Sequence, residues 1–312
     1  MKLPNARKLL SYLFFAAGIG AAVWVIASRR DELTAAVQRM NLIAIAGSFG
    51  CGMLAVLALF GSWLAAVTDG GVSLPVRAGL QIYGVGQIGK YLPGSVWPVL
   101  TQTQLGRRRG ISPLRMASGA LLALAVSVDV GLVMGGLFLP FSGHRAVRVF
   151  WWVPLVAIPM VLVLIPAVLN RLISVAARVL RRGEVASGYS WAGIGRSAAW
   201  AALGNLLFGL HIYLLGIGLG ETSVRGFVLA VCAYSLASSV GVIVIFAPAG
   251  AGAREAVLVA VLAPVLSVDA ALAIALVSRV LLIAVDVLIA TSQLRGLNRW
   301  KTMPPSYPAA MS

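Results

Sequence analysis

Residues 83–99 read YGVGQIGKYLPGSVWPV, and no other stretch of the chain sets so many backbone-breaking residues around a lone charge inside apolar sequence. Gly84, Gly86, Gly89, Pro93, Gly94 and Pro98 surround Lys90. Proline lacks an amide donor, clashes with the preceding turn and pushes its neighbour out of the helical region, while glycine adds an entropic cost. The segment is expected to break at Pro93-Gly94. Its glycines also spell GxGxxG, and Gly84 to Lys90 spells GxxxxGK. The first is a dinucleotide fingerprint only within a βαβ unit, and the second needs Ser or Thr next, where this chain has Tyr91. What precedes is a membrane-like run, so nucleotide binding is set aside.

Working outward, the 312-residue chain is 60% hydrophobic and 11% charged, with a mean hydropathy of +0.95. That balance belongs to an all-α polytopic membrane protein, not to a soluble domain. A formal charge of +16 raises nucleic acid as a partner, but the basic residues sit in short clusters between apolar runs, which is how a membrane protein sets its orientation. No nucleic-acid partner is expected. Cys51 and Cys232 fall inside apolar runs, and two Cys with two His supply neither a disulfide framework nor a metal cluster. No cofactor is expected. The first apolar run follows Lys2, Arg7 and Lys8 without a small-x-small cleavage site, so it reads as a retained span.

A spanning helix needs about 20 mostly apolar residues. About eight runs meet that length, near 9–27, 41–66, 117–140, 150–169, 198–220, 227–246, 252–268 and 270–293. The segment 78–105 is long enough to enter the bilayer and too broken to cross it, so it reads as a re-entrant pair of half-helices. A second glycine-rich break lies at 247–254. Residues 1–294 form the membrane domain, and 295–312 form a short proline-containing tail without periodicity. With the N-terminus inside, sixteen of the 25 Lys and Arg fall in cytoplasmic segments, six in outer loops and three within the membrane. Both termini then face the cytoplasm of a cell membrane, and Arg77 with the Arg107-Arg108-Arg109 cluster holds both ends of the broken segment inside. The loop RLISVAARVLRR, Arg171 to Arg182, alternates arginine with an apolar face and reads as an interfacial helix. Small pairs at four-residue spacing, Gly131 with Gly135, Ser48 with Gly52 and Gly216 with Gly220, read as close helix contacts.

Ionisable groups inside the membrane cost a few kcal/mol or more, so each needs a partner or a polar cavity. Seven fall there: Lys90, Asp129, His211, Arg254, Glu255, Arg279 and Asp286. With His211 neutral, three positive charges meet three negative ones. A self-neutralising network is the structural reading, with Arg279 and Asp286 sharing one face of the last span and His211 hydrogen-bonded to a neighbouring helix. Lys90 and Arg254 differ, because each sits beside glycine and proline breaks that bare backbone donors next to a cation, a combination suited to an anionic head group. No catalytic constellation is legible, so an enzyme is not expected.

At GQIGKYLPGSVWPV and PAGAGAREAVLVAVLAP the chain resembles the membrane part of the lysylphosphatidylglycerol synthases and their stand-alone, flippase-like relatives, from the first span to about Leu294. Gly89, Lys90, Tyr91, Leu92, Pro93, Gly94 and Trp97 match the family's first pattern. Pro248, Gly250, Gly252, Arg254 and Glu255 match the second more loosely, with alanines at Ala249, Ala251 and Ala253. The resemblance implies a protein that binds or translocates lipid, and Lys90, Tyr91, Pro93, Gly94, Trp97, Arg254 and Glu255 are the residues expected at the head group, beside the intramembrane charge network of Asp129, His211, Arg279 and Asp286 read from position alone. The aminoacyl transfer of the two-part members belongs to a soluble domain for which this chain has no room. Expected partners are membrane lipids with anionic or lipid-linked head groups, and a lipid-processing enzyme. The alternatives are a non-transporting membrane subunit or scaffold for a lipid-linked glycosyltransferase, or a membrane-embedded lipid-modifying enzyme.

Overall fold

The computed structural model describes residues 40–91, 96–179, 188–244, 250 and 252–300 together with Thr34 and Gln38, with 144–145 and 294–300 described by backbone alone. The expected first span at 9–27, the tail beyond 300, and Pro93, Gly94 and Pro248 lie outside the described residues. Among those described, all regular structure is helical. Five helical stretches are long and apolar enough to cross a membrane: Leu42–Thr68, Pro113–Ser142, Trp191–Ile217, Val224–Ile243 and Val268–Gln293. By length and composition the chain is a multi-pass membrane protein.

The long helices begin where a side chain can take an orphan amide. Asn41 accepts from the Ile43 amide at 2.9 Å to start α1 (Leu42–Thr68). Then follow α2 (Val76–Gln87) and α3 (Trp97–Arg107), both short. Ser112 starts α4 (Pro113–Phe138) by accepting from the Arg115 amide, with Pro113 in the first turn, where its missing donor costs nothing. After α5 (His144–Val149), α6 (Val153–Leu164) and α7 (Pro166–Val179), Ser190 caps α8 (Trp191–Ile217) and Ser223 caps α9 (Val224–Ile243) in the same way. Finally come α10 (Ala253–Leu262) and α11 (Val268–Trp300).

Two of the expected spans are not single crossings. The run at 150–169 divides into α6 and α7, which meet at 78°. Ile165 precedes Pro166, a placement that drives the chain out of helical geometry, and the twelve residues of α6 reach only about 18 Å of a roughly 30 Å hydrocarbon core. The expected interfacial helix begins accordingly within α7, while 180–187 lies outside the described residues. The run at 252–268 yields only α10, ten residues or about 15 Å. It stops where Ala263 precedes Pro264, and the chain turns into α11. The described residues thus hold five helices long and apolar enough to cross a membrane, or six such spans if the bent pair counts as one.

α8 runs along α1, and α9 lies against α4, α8 and α10. Small residues set these approaches: a Cβ on Gly131 would overlap Ser239 Oγ, one on Gly135 would overlap Leu236, and one on Gly209 would overlap Val231. Gly52 fits beneath Leu282 and His211, as its pairing with Ser48 leads one to expect. Gly216 and Gly220 do not make such a contact. Gly220 lies beyond the end of α8 at φ 92°, and a Cβ on Gly216 would meet Glu221 only at 3.7 Å.

At one end of the bundle a polar cluster fixes the arm α7. Asp69, buried after α1, accepts the Ser190 amide at 2.7 Å and the Ser190 hydroxyl at 2.8 Å. Asn170 of α7 accepts the Tyr189 amide and donates to the Tyr189 carbonyl, while the Arg115 guanidinium stacks 4.4 Å from the Tyr189 ring centroid. Burial and the Asp69 carboxylate raise the Tyr189 phenol above its ordinary pKa, against opposing effects of Ser118 and Arg115.

Candidate functional site

Around Lys90 the described residues hold two short helices, and the expected break at Pro93-Gly94 itself lies outside the described residues. α2 ends in a 3₁₀ turn, Ile88–Tyr91, and α3 starts at Trp97, so the two short helices fold back and pack on each other. At twelve and eleven residues each reaches about half the hydrocarbon core. The glycines of the GxGxxG pattern make this approach possible. A Cβ on Gly86 would stand 2.5 Å from Gln102 Cγ, and one on Gly89 would stand 2.8 Å from the Pro98 backbone nitrogen. The pair is tied to α1 by Trp63 Nε1, which donates to Gln102 Oε1 at 2.9 Å.

The second break joins α9 to α10. Gly250, at φ 69°, sits so close to Gly241 of α9 that a Cβ would approach the Gly241 Cα to 2.6 Å. Gly252, at φ 83°, starts α10, and Glu255 Oε2 accepts its amide at 2.7 Å. That donor is therefore occupied by the chain's own carboxylate. The other oxygen of Glu255 is ion-paired with Arg279 of α11.

Between the two breaks lies a cavity of about 270 Å³ whose wall includes Lys90, Tyr91, Arg254, Arg279 and Asp286. Lys90 Nζ lies 2.7 Å from Asp286 Oδ2, and the Tyr91 hydroxyl donates to the same oxygen. The Lys90 side chain is 36% exposed and that of Asp286 only 1%. Asp286 Oδ1 is buried with no hydrogen-bond partner among the described residues. Arg254 stacks with its guanidinium carbon 4.6 Å from the Tyr234 ring centroid, and its Nη2 is buried without a partner among the described residues. The pairing within the charge set therefore differs from the face shared by Arg279 and Asp286. Two turns along α11 put both in the cavity wall, but Arg279 reaches across to Glu255 and Asp286 is claimed by Lys90. Side-chain reach across helices, not spacing along one, decides the partners.

Of the remaining expected residues, Trp97 and Glu255 flank the breaks without lining the cavity. Asp129 is 5% exposed on α4 with Oδ1 unpartnered, and joins no ion pair among the described residues. His211 stands apart as a three-helix node: Nδ1 lies 2.7 Å from Ser48 Oγ of α1 and Nε2 lies 2.8 Å from Ser278 Oγ of α11. The expected single network is thus two ion pairs, one cation on an aromatic face and two separate polar groups.

Sequence reasoning overlooked the uncharged wall of Trp63, Tyr83, Gln102, Asn205 and Tyr234. Polar side chains inside apolar runs, Gln102 and Asn205 above all, are the signal that could have found it. Asn205 Nδ2 donates to the Ala201 carbonyl, leaving Oδ1 buried and unpartnered. The cavity joins three cations, the Asp286 carboxylate, hydroxyls and aromatic faces in an apolar surround. No protein-family model matches the chain, and no curated protein is significantly similar to it.

Proposed function

We propose that the chain is a flippase-like membrane protein that binds a lipid with a small, phosphate-bearing head group in this cavity and moves it between leaflets, as its resemblance to the lysylphosphatidylglycerol synthase membrane part implies. The observation that carries the reading is Arg254, a cation in the cavity wall whose Nη2 is buried without a partner among the described residues and whose guanidinium rests on Tyr234. An unsatisfied guanidinium nitrogen is costly to bury and is matched by an incoming oxyanion. A cavity of about 270 Å³ is at the small end for ligand sites, which favours a phosphodiester or a compact aminoacyl ester over a lipid-linked glycan. In the orientation proposed, both termini face the cytoplasm of a cell membrane, and α2 with α3 enters and returns from that side.

A second reading has its own support. The ion pairs Lys90–Asp286 and Arg279–Glu255 satisfy two of the three cations internally, as in a non-transporting subunit that serves a lipid-processing partner. Reconstituted vesicles carrying head-group-labelled phosphatidylglycerol separate the two. The translocator reading expects leaflet exchange in the wild type and its loss in Arg254→Ala, with Arg254→Lys retaining part of it because charge persists while fork geometry does not. Unimpaired exchange in a folded Arg254→Ala protein would remove Arg254 from the site. No exchange in the wild type, with phosphatidylglycerol still bound, would favour the subunit.

A further inference from the structure

A second depression lies on the outside of the bundle. Its wall includes Leu121, Leu124, Ala125 and Val128 of α4, Trp152, Val156 and Met160 at and along α6, and Val240 to Val244 at the end of α9, leaving out Gly241. Every one of these residues is apolar, although tryptophan carries an indole N–H. The groove is not separate from the polar cavity. Leu124, Val128 and Val242 line both, so a wall one side chain thick divides a site for charge from a site for hydrocarbon.

We infer that this groove receives a hydrocarbon chain of the same phosphate-bearing lipid whose head group occupies the polar cavity, the chain passing over the shared wall of Leu124, Val128 and Val242. The inference rests on the head-group reading above. Its physical basis is that a phosphate ester and its acyl chains are covalently joined, so a buried head-group site needs an apolar exit within a few bonds of it. The groove offers that exit through the same three side chains. Trp152, in the groove and not in the wall of the polar cavity, makes its occupancy measurable.

The experiment uses vesicles of phosphatidylcholine with a minority of phosphatidylglycerol, either lipid carrying a dibrominated chain that quenches nearby indoles. The difference between wild type and Trp152→Phe isolates the Trp152 signal, and co-purified phosphatidylglycerol is measured in parallel. Brominated phosphatidylglycerol is expected to quench Trp152 as though enriched about tenfold, the preference that about 1.4 kcal/mol of head-group binding gives. That enrichment should vanish in Arg254→Ala, which removes the head-group contact, and in Ala125→Phe, which fills the groove and leaves the polar cavity alone. Enrichment that survives Arg254→Ala would mean that groove and cavity hold different molecules, and would overturn the inference. Phosphatidylglycerol retained through Arg254 with Trp152 quenched only in proportion to mole fraction would also overturn it, leaving the head-group site standing. A wild type that retains neither phosphatidylglycerol nor phosphatidylcholine, with Trp152 quenched by each only in proportion to mole fraction, would defeat both readings together.

Discussion

Replacing Lys90 by alanine removes the ammonium 2.7 Å from Asp286 Oδ2 and leaves that carboxylate with the Tyr91 hydroxyl alone. Asp286 has nowhere to go, because its side chain is 1% exposed and its second oxygen is already unpartnered. Orphaning one member of a fully buried pair costs about 3–5 kcal/mol. Lys90 is 36% exposed, which screens part of the interaction, and Tyr91 remains, so the expected loss for Lys90→Ala is about 2–3 kcal/mol. The reverse change is milder. After Asp286→Asn the flexible Lys90 stem can carry its charge towards its exposed side, and Tyr91 keeps an amide oxygen to donate to, so about 1 kcal/mol is expected. The double variant should recover about 1–2 kcal/mol relative to the sum of the single changes. Reversible unfolding in mixed micelles, followed for the four proteins of this cycle, measures all three quantities. Equal losses for the two single variants, or strict additivity in the double, would refute the assignment of Asp286 as the confined partner.

The turn between the half-helices should be intolerant of a side chain: Gly89→Ala drives a Cβ into the Pro98 and Trp97 backbone and should cost about 1–3 kcal/mol, whereas Gly195→Ala, with open space around it, should be neutral or stabilising in the same unfolding assay. His211→Ala empties the node between α1, α8 and α11 and takes away the imidazole partner of the Ser278 hydroxyl, while the Ser48 hydroxyl keeps the His211 backbone carbonyl. About 3 kcal/mol should be lost there, with His211→Asn recovering a fraction, and a loss under 1 kcal/mol would contradict a structural role. Asp69→Ala deletes both acceptors for Ser190 and should cost about 1–3 kcal/mol. Amide exchange at the α8 N-terminus should rise with it. For orientation, cysteine at 107 should be shielded from an impermeant outside reagent and cysteine at 145 labelled, and the opposite pattern would invert the proposed topology.

Much of this arrangement follows from composition and chain stiffness alone. Apolar runs of twenty or more residues force helices in a solvent that cannot hydrogen-bond a free backbone, which is why Leu42–Thr68 and Val224–Ile243 emerge close to where hydropathy puts them. The shortness of α2 and α3 is in keeping with the glycines and prolines around Lys90, which act on the turns that contain them. Hydropathy, however, counts apolar residues and not the length of helix they make. It therefore took 150–169 for one straight helix where Pro166 bends the run into α6 and α7, and 252–268 for a crossing where Pro264 leaves α10 too short. The partners of the buried charges were beyond reach for a different reason. Spacing along α11 puts Arg279 and Asp286 on one face, yet the energy of a charge depends on what lies within a few ångströms across the helix boundary. Only the packing of the two breaks against α11 delivers Lys90 to Asp286 and Glu255 to Arg279. That same packing leaves Arg254 over Tyr234, a residue twenty positions earlier in the chain that no local pattern connects to it.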